Sequence, residues 1–261
     1  MQVLDEVGDR IVSAVAQQIE AAERNRAILK PPGSLDAWEA HHRGLWHMYR
    51  FSREDNTRAR GFFASAIRLD PTFSRAHAGL SFTYFQDAFQ GWAPRDAAIA
   101  RAFASAGDGL LSDDRDPSAH WAMGRALWLG GESATALDVL SATLKMSPGF
   151  VPARYMLAFI NSQSGDPELA IRFADEARQL SPYDPLLFGF LGARAIALAR
   201  LGQFGEASRW AQRAAICPNA HPHISTIAAC CLHLDGQSGA ATKWVSVVET
   251  RDPQYTAETL I

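Results

Sequence analysis

Six times along the chain a small residue, a run of helix-forming residues and a turn rich in Pro or Asp return at a spacing of about 34. The cleanest copy opens at Val151, carries Leu157-Ala158 in its first half, turns at Gly165-Asp166-Pro167, and continues through Ala170, Ala174 and Ala177 to Pro182. A unit of this length holds two antiparallel helices. It cannot bury its apolar faces alone, so neighbouring units must stack. The period leaves no room for strands, and the expected fold class is all-α.

The copies are aligned by the small residue of the first helix and an alanine of the second. Gly124 and Ala136, Ala158 and Ala170, and Ala229 and Ala241 stand 12 apart. Gly44 and Ala59, and Gly192 and Ala207, stand 15 apart, an excess of about one helical turn. Ser81 and Ala102 are 21 apart, with Gly91-Trp92-Ala93-Pro94 breaking the insertion. Later small residues fall at Ala66, Gly109, Thr143, Ala177, Ala214 and Val248, and turn residues follow each.

This pattern resembles the tetratricopeptide repeat (TPR). The resemblance implies a right-handed α-solenoid of about six helix pairs, with repeats near 37–71, 74–114, 117–150, 151–184, 185–219 and 222–254. It also implies a module that binds partners and carries out no chemistry.

Bulk properties agree. A hydrophobic fraction of 48% in 261 residues supports a continuous core, and a net charge of -3 gives no footprint for nucleic acid. The most apolar run, Leu186 to Leu198, contains Arg194, so no membrane span is expected. Asp5, Glu6, Asp9 and Arg10 stand where a secretory signal would be apolar, and three cysteines make no disulfide framework. The expected location is cytoplasmic.

Residues 1–30 differ from the repeats. Leu4, Val7, Ile11, Val15, Ile19 and Ala22 recur every three or four positions and form one stripe of an amphipathic helix. Lys30-Pro31-Pro32-Gly33-Ser34 stops it, and the next helix starts at Asp36. Such a helix either caps the first repeat or acts as a linker through which two copies self-associate.

The same stretch, with Lys30-Pro-Pro-Gly-Ser-Leu-Asp-Ala-Trp38, Arg43-Gly-Leu-Trp-His47, Arg53-Glu-Asp-Asn56 and Pro218-Asn-Ala-His-Pro-His-Ile224, carries a narrower resemblance. It is similar to the C-terminal TPR region of bacterial class III adenylate/guanylate cyclases and of related winged-helix transcriptional regulators. Members carry a catalytic or DNA-binding domain upstream. The resemblance therefore implies a regulatory half of a signalling protein, with 255–261 starting a truncated C-terminal element.

No G-x-x-x-x-G-K-[ST], H-E-x-x-H or G-x-S-x-G occurs. Gly107-Asp-Gly109 falls inside a second-helix segment with no strand before it, and Asp113-Asp114 lies in a turn. Glu54-Asp55 fits the first helical turn after an N-cap Ser52. No catalytic residue and no cofactor is expected. His223, Cys230 and His233, with His221 nearby, are the only candidate soft-metal ligands, and their spacing matches no tight zinc pattern. They read better as packing residues.

The TPR resemblance implies that the first helices line an inner surface, and the residues at their inward positions are the better candidates for function. Counting from the small residue gives Trp38, His41 and Leu45, then Arg75, Ala78, Phe82 and Phe85, then Trp121, Arg125 and Trp128. Tyr155, Phe159 and Ser162 follow, and then the blander Leu186, Gly189, Ala193 and Ile196. Trp and Arg dominate binding hot spots, so a protein or peptide partner in a concave groove is expected. A small ligand bound in the same groove, with the signal passed to an effector through the first helix, is the alternative. Phe62, Phe173, Trp210 and Trp244, on second helices, are expected in the core.

Overall fold

The computed structural model describes residues 2–255, and the described residues contain thirteen α-helices and no strand. They form two compact units, one up to Ala153 and one from Arg154. Expectations for 256–261 lie outside the described residues, as do the side chains of Leu4, Val7, Asp9 and Arg10.

In the first unit α1 (Gln2–Leu29) is followed by a short 3-10 turn (Pro32–Ser34) and by α2 (Ala37–Met48) and α3 (Arg53–Leu69). Then come α4 (Ser74–Phe89) with α5 (Arg95–Ser112), and α6 (Pro117–Leu129) with α7 (Ser133–Met146). The second unit holds α8 (Val151–Gln163) with α9 (Pro167–Leu180), α10 (Leu187–Arg200) with α11 (Phe204–Ala215), and α12 (Pro222–Leu234) with α13 (Ser238–Arg251).

Local chemistry starts the helices. Asp36 and Glu39 form a reciprocal capping box on α2, and the Ser52 hydroxyl accepts from the Asp55 amide at 3.1 Å on α3. Asp116 and Asp166 cap α6 and α9, each followed by Pro at the first helical position. At α10 the Arg200 guanidinium donates to the Asn161 carbonyl at 2.8 Å and to that of Gly165 at 2.9 Å, satisfying the end of α8.

The paired small residues are where each helix pair touches. Phe63, four residues after Ala59, fills the space over Gly44: a Cβ there would stand 2.6 Å from its ring. Leu140, four after Ala136, does the same over Gly124. In the irregular second repeat the Ser81 hydroxyl donates to the Ala102 carbonyl at 2.7 Å. The extra turns fall in different places. In the first repeat the second helix starts early, at Arg53, whereas in the fifth the first helix runs on to Arg200. Gly107 and Gly109 sit within α5. Phe62, Phe173, Trp210 and Trp244 are half-buried, and arginines lie over the first three rings. Arg213 and Arg194, for example, cover the Trp210 ring at 4.4 and 4.6 Å.

Helix α1 docks on α2. Ala27 is buried, Lys30 pairs with Glu39, and the Arg43 guanidinium donates to the Lys30 carbonyl at 2.6 Å. The Trp38 indole N–H donates to Glu23 at 3.1 Å, and Arg24 lies over the Tyr49 ring. No helix among the described residues is long and apolar enough to cross a membrane.

Candidate functional site

In the first unit side chains of α4 and α6 form a nest of rings around one guanidinium. Phe82 and Trp121 stack with centroids 5.5 Å apart. The Arg125 guanidinium sits 3.8 Å from the Phe85 centroid, 4.2 Å from that of Phe82 and 5.0 Å from that of Trp121. Helical spacing makes this possible. Phe82 and Phe85 are three apart on α4 and Trp121 and Arg125 four apart on α6, so each pair shares a face. Phe89 and the half-buried Trp128 extend the cluster, with Phe85–Phe89 at 5.4 Å and Phe85–Trp128 at 6.0 Å.

Burial sorts the candidates. Phe82, Phe85, Trp121 and Arg125 are closed in, with Trp121 7% and Arg125 6% exposed. Trp38, at 39%, is exposed, and Arg75 is half-buried and paired with Asp116 at 3.0 Å. His41 and Leu45 are buried. In the second unit Tyr155 and Phe159 are half-buried, with ring centroids 6.3 Å apart. Beyond them Leu186, Gly189 and Ala193 are buried and small or apolar, and Ser162 is fully buried.

The sequence pattern passed over several polar groups. Gln86 on α4 and Gln90 at its C-cap are buried, and the Oε1 of the first and the Nε2 of the second meet no protein partner. The Trp121 indole N–H likewise has no protein acceptor. Gln86 and Gln90 follow Phe82 by four and eight, and that spacing on one helical face was the available signal. His42, also passed over, is enclosed against the edge of Trp38, with centroids 4.4 Å apart. Burial, aided by Arg24, lowers its pKa to about 4. Burial also holds His41 well below its ordinary value.

The His/Cys set does not come together. His223 is buried with its ring edge-on to Tyr255 and His221, whereas Cys230 and His233 are exposed. Among the described residues no group of three or more His, Cys, Asp or Glu could hold a metal ion. Cys231 faces the core, where burial pushes its thiol up to about 12.

Comparison with known proteins identifies the architecture. No family model matches the chain, and no curated protein matches it in sequence. Solved structures do match. An IFIT1 monomeric mutant with Gppp-AAAA superposes with a TM-score of 0.71 at 12% identity, over 92% of this chain and 57% of that one. PilF of Pseudomonas aeruginosa matches with 0.55 at 14% identity, over 91% and 96%. TTC0263, a thermophilic TPR protein of Thermus thermophilus, matches with 0.54 at 15%, over 67% and 92%. The fold is that of the TPR proteins. At such identities the likeness is one of fold, and the chain spans just over half the length of the IFIT1 chain.

Proposed function

We propose that the chain is a non-enzymatic TPR interaction module whose inward face binds a peptide or protein partner. One observation supports this reading: beside the enclosed ring nest of Phe82, Phe85, Trp121 and Arg125, the residues Trp38, Arg75 and Trp128, which the repeat register assigns to the same row, keep part of their surface accessible. A rigid aromatic floor with exposed aromatic and cationic neighbours suits a short segment with apolar and acidic side chains. Tyr155 and Phe159 offer the same chemistry in the second unit. The module is the cytoplasmic regulatory half of a bacterial signalling protein, as the resemblance to cyclase and regulator TPR regions implies, and α1 is where two copies meet.

The test is affinity capture with the purified chain, repeated with Trp38→Ala and Trp128→Ala. Trp38 is exposed, so Trp38→Ala should lose a captured protein at unchanged melting temperature, whereas Trp128→Ala also thins the packing on Phe85 and its loss of capture is read at a temperature where the variant is fully folded. A partner that binds both as tightly as the wild type overturns the reading. The purified chain should also make no cyclic nucleotide from ATP or GTP with magnesium or manganese. It has no phosphate-cradling loop and no metal-binding carboxylate pair on a strand among the described residues. Turnover that survives repurification would sink the non-enzyme assignment.

The buried, unmatched Trp121 N–H and Gln86 Oε1 favour a second reading, a small-ligand sensor that controls an adenylate cyclase or transcriptional regulator. A metabolite that raises the melting temperature of the wild type but not of Trp121→Phe, which keeps the ring stack and removes the donor, would select it.

A further inference from the structure

The stripe of α1 does not face the repeat on which α1 docks. At about 100° per residue, Val15, Ile19, Ala22 and Leu29 lie within roughly 80° of Ile11 around the helix, whereas Ala27 lies roughly 160° away. Exposure follows this geometry. Ala27 is buried against α2, while Ile11 is 58%, Val15 52%, Ile19 54% and Leu29 85% exposed. The named contacts between α1 and the α2 segment come from its last quarter, from Glu23 onward, and from Lys30 just past its end. Twenty-eight residues span about 42 Å and the twelve of α2 about 18 Å, so α1 is about 24 Å longer than the helix on which it docks. A helix with one docked face and an opposite open apolar stripe is built to meet a second apolar surface.

Charge selects that surface. Residues 2–15 carry three acids (Asp5, Glu6, Asp9) and one base (Arg10), whereas residues 16–30 carry two acids (Glu20, Glu23) and three bases (Arg24, Arg26, Lys30). Two copies laid parallel would set the acid-rich ends side by side. Laid antiparallel, the acid-rich end of each copy comes beside the end that carries the exposed Arg26 of the other, while Arg24 stays on Tyr49 of its own chain.

We propose that the exposed stripe of α1 is a homodimer interface in which two copies pair antiparallel about Val15, Ile11 of each packing on Ile19 of the other. This rests on the self-association reading of α1 and is independent of the groove. The two Val15 side chains meet at the two-fold axis, as a closed symmetric dimer requires, and the docked face of α1 stays on its own repeat. The pairing holds two repeat stacks at a fixed separation, which is what a regulatory half needs to bring two effector domains together.

Sedimentation of the full chain across a concentration series tests association, and Val15→Glu tests the axis. The wild type should sediment as two chains. Val15→Glu buries two unpaired carboxylates at the axis, so its dissociation constant should rise at least about 100-fold while helical melting is unchanged. Orientation is read by oxidative crosslinking with Cys217 and Cys230 replaced by Ser. A mixture of Ile11→Cys and Ile19→Cys chains should form the mixed disulfide dimer, and Ile11→Cys alone should form little. Crosslinking of Ile11→Cys with itself, in chains that Val15→Glu separates, overturns the antiparallel orientation alone. A wild type that stays single across the series, or that binds vesicles of anionic phospholipid through the stripe instead of a second copy, overturns self-association itself.

Discussion

The inward faces of α4 with α6 and of α10 with α12 occupy the same place in their repeats and are filled by opposite means. In the first unit the space is taken by large rings around Arg125, with Phe82 stacked on Trp121. In the second, side chains of α8 and α12 sit directly on the glycine backbone of α10. A Cβ at Gly189 would stand 2.3 Å from the Tyr155 hydroxyl, and one at Gly192 3.3 Å from Ile224. Both solutions satisfy the same 34-residue period. The period therefore dictates the scaffold, and the residues at these positions decide whether the space is filled by rings or by close approach.

The largest effect should come from emptying the ring nest. Trp121→Ala removes a 7%-exposed indole and leaves a cavity beside Phe82 and Arg125, which costs about 3–5 kcal/mol. Hydrogen exchange should report the loss in α4 and α6 and spare α10, because repeats open as local units. Protection lost equally in α10 would end the idea that the two faces are independent. Trp121→Phe should stay within about 1 kcal/mol of wild type, since losing the stacked area offsets removal of a buried, unmatched donor.

Next comes pH, which separates the units through their histidines. His42 folds as a neutral imidazole with a pKa of about 4, set mainly by burial, with Arg24 reinforcing it and Glu23 opposing it. The unfolded chain binds a proton near 6.5, so stability is complete above that value and falls as pH drops from about 6.5 toward 4. The full shift is worth about 3 kcal/mol. His41 adds to the loss in the first unit, and His221, likewise held low by burial, adds to it in the second. His42→Phe should flatten the acid limb for α1 and α2 only. An unchanged limb would show that this imidazole is not enclosed in solution.

A smaller effect sharpens the other side of the comparison. Gly189→Ala forces the Tyr155 ring aside and should cost about 1–3 kcal/mol, confined to α8 and α10. Paired with Tyr155→Leu, which vacates the space, the cost should fall, as coupled neighbours require. Additive losses would place Tyr155 elsewhere.

Much of this was legible in the residues, and the reason it stopped is physical. Asp36, Ser52, Asp116 and Asp166 start helices through their own side chains, so local sequence suffices. Trp121 and Trp38 both lie in the inward row by spacing, yet one is enclosed and the other open. The difference depends on Phe82, from a helix 39 residues earlier, which no single-helix pattern reports. The stripe of α1 was likewise visible. Its orientation was not, because Glu39, Arg43 and Trp38 of α2 hold α1 by Lys30, its C-terminal carbonyls and Glu23. Gln86 and Gln90 are not legible in the sequence, because buried amides look like ordinary surface residues until neighbours close over them.

The smallest predicted effect tests what the two units share. Asp166 accepts from the Glu168 and Leu169 amides at 2.8 and 3.2 Å, and its carboxylate faces the positive end of α9. Asp116 accepts from the Ser118 amide at 2.8 Å and also holds Arg75 of α4 at 3.0 Å. Asp166→Ala should cost about 1 kcal/mol, the usual worth of an N-cap. Asp116→Ala should cost the same plus only a few tenths, because the Arg75 side chain is 43% exposed and its ion pair is screened by solvent. Adding salt should erase that excess and leave the cap term, since capping depends on a short hydrogen bond more than on distant charge. Asn at either position should restore most of the loss, because its side-chain oxygen still accepts from the backbone. If Asp116→Asn is as costly as Asp116→Ala, the Arg75 pair and not the cap holds α6. The start of that helix would then depend on the inward face, and scaffold and face could no longer be treated as separable.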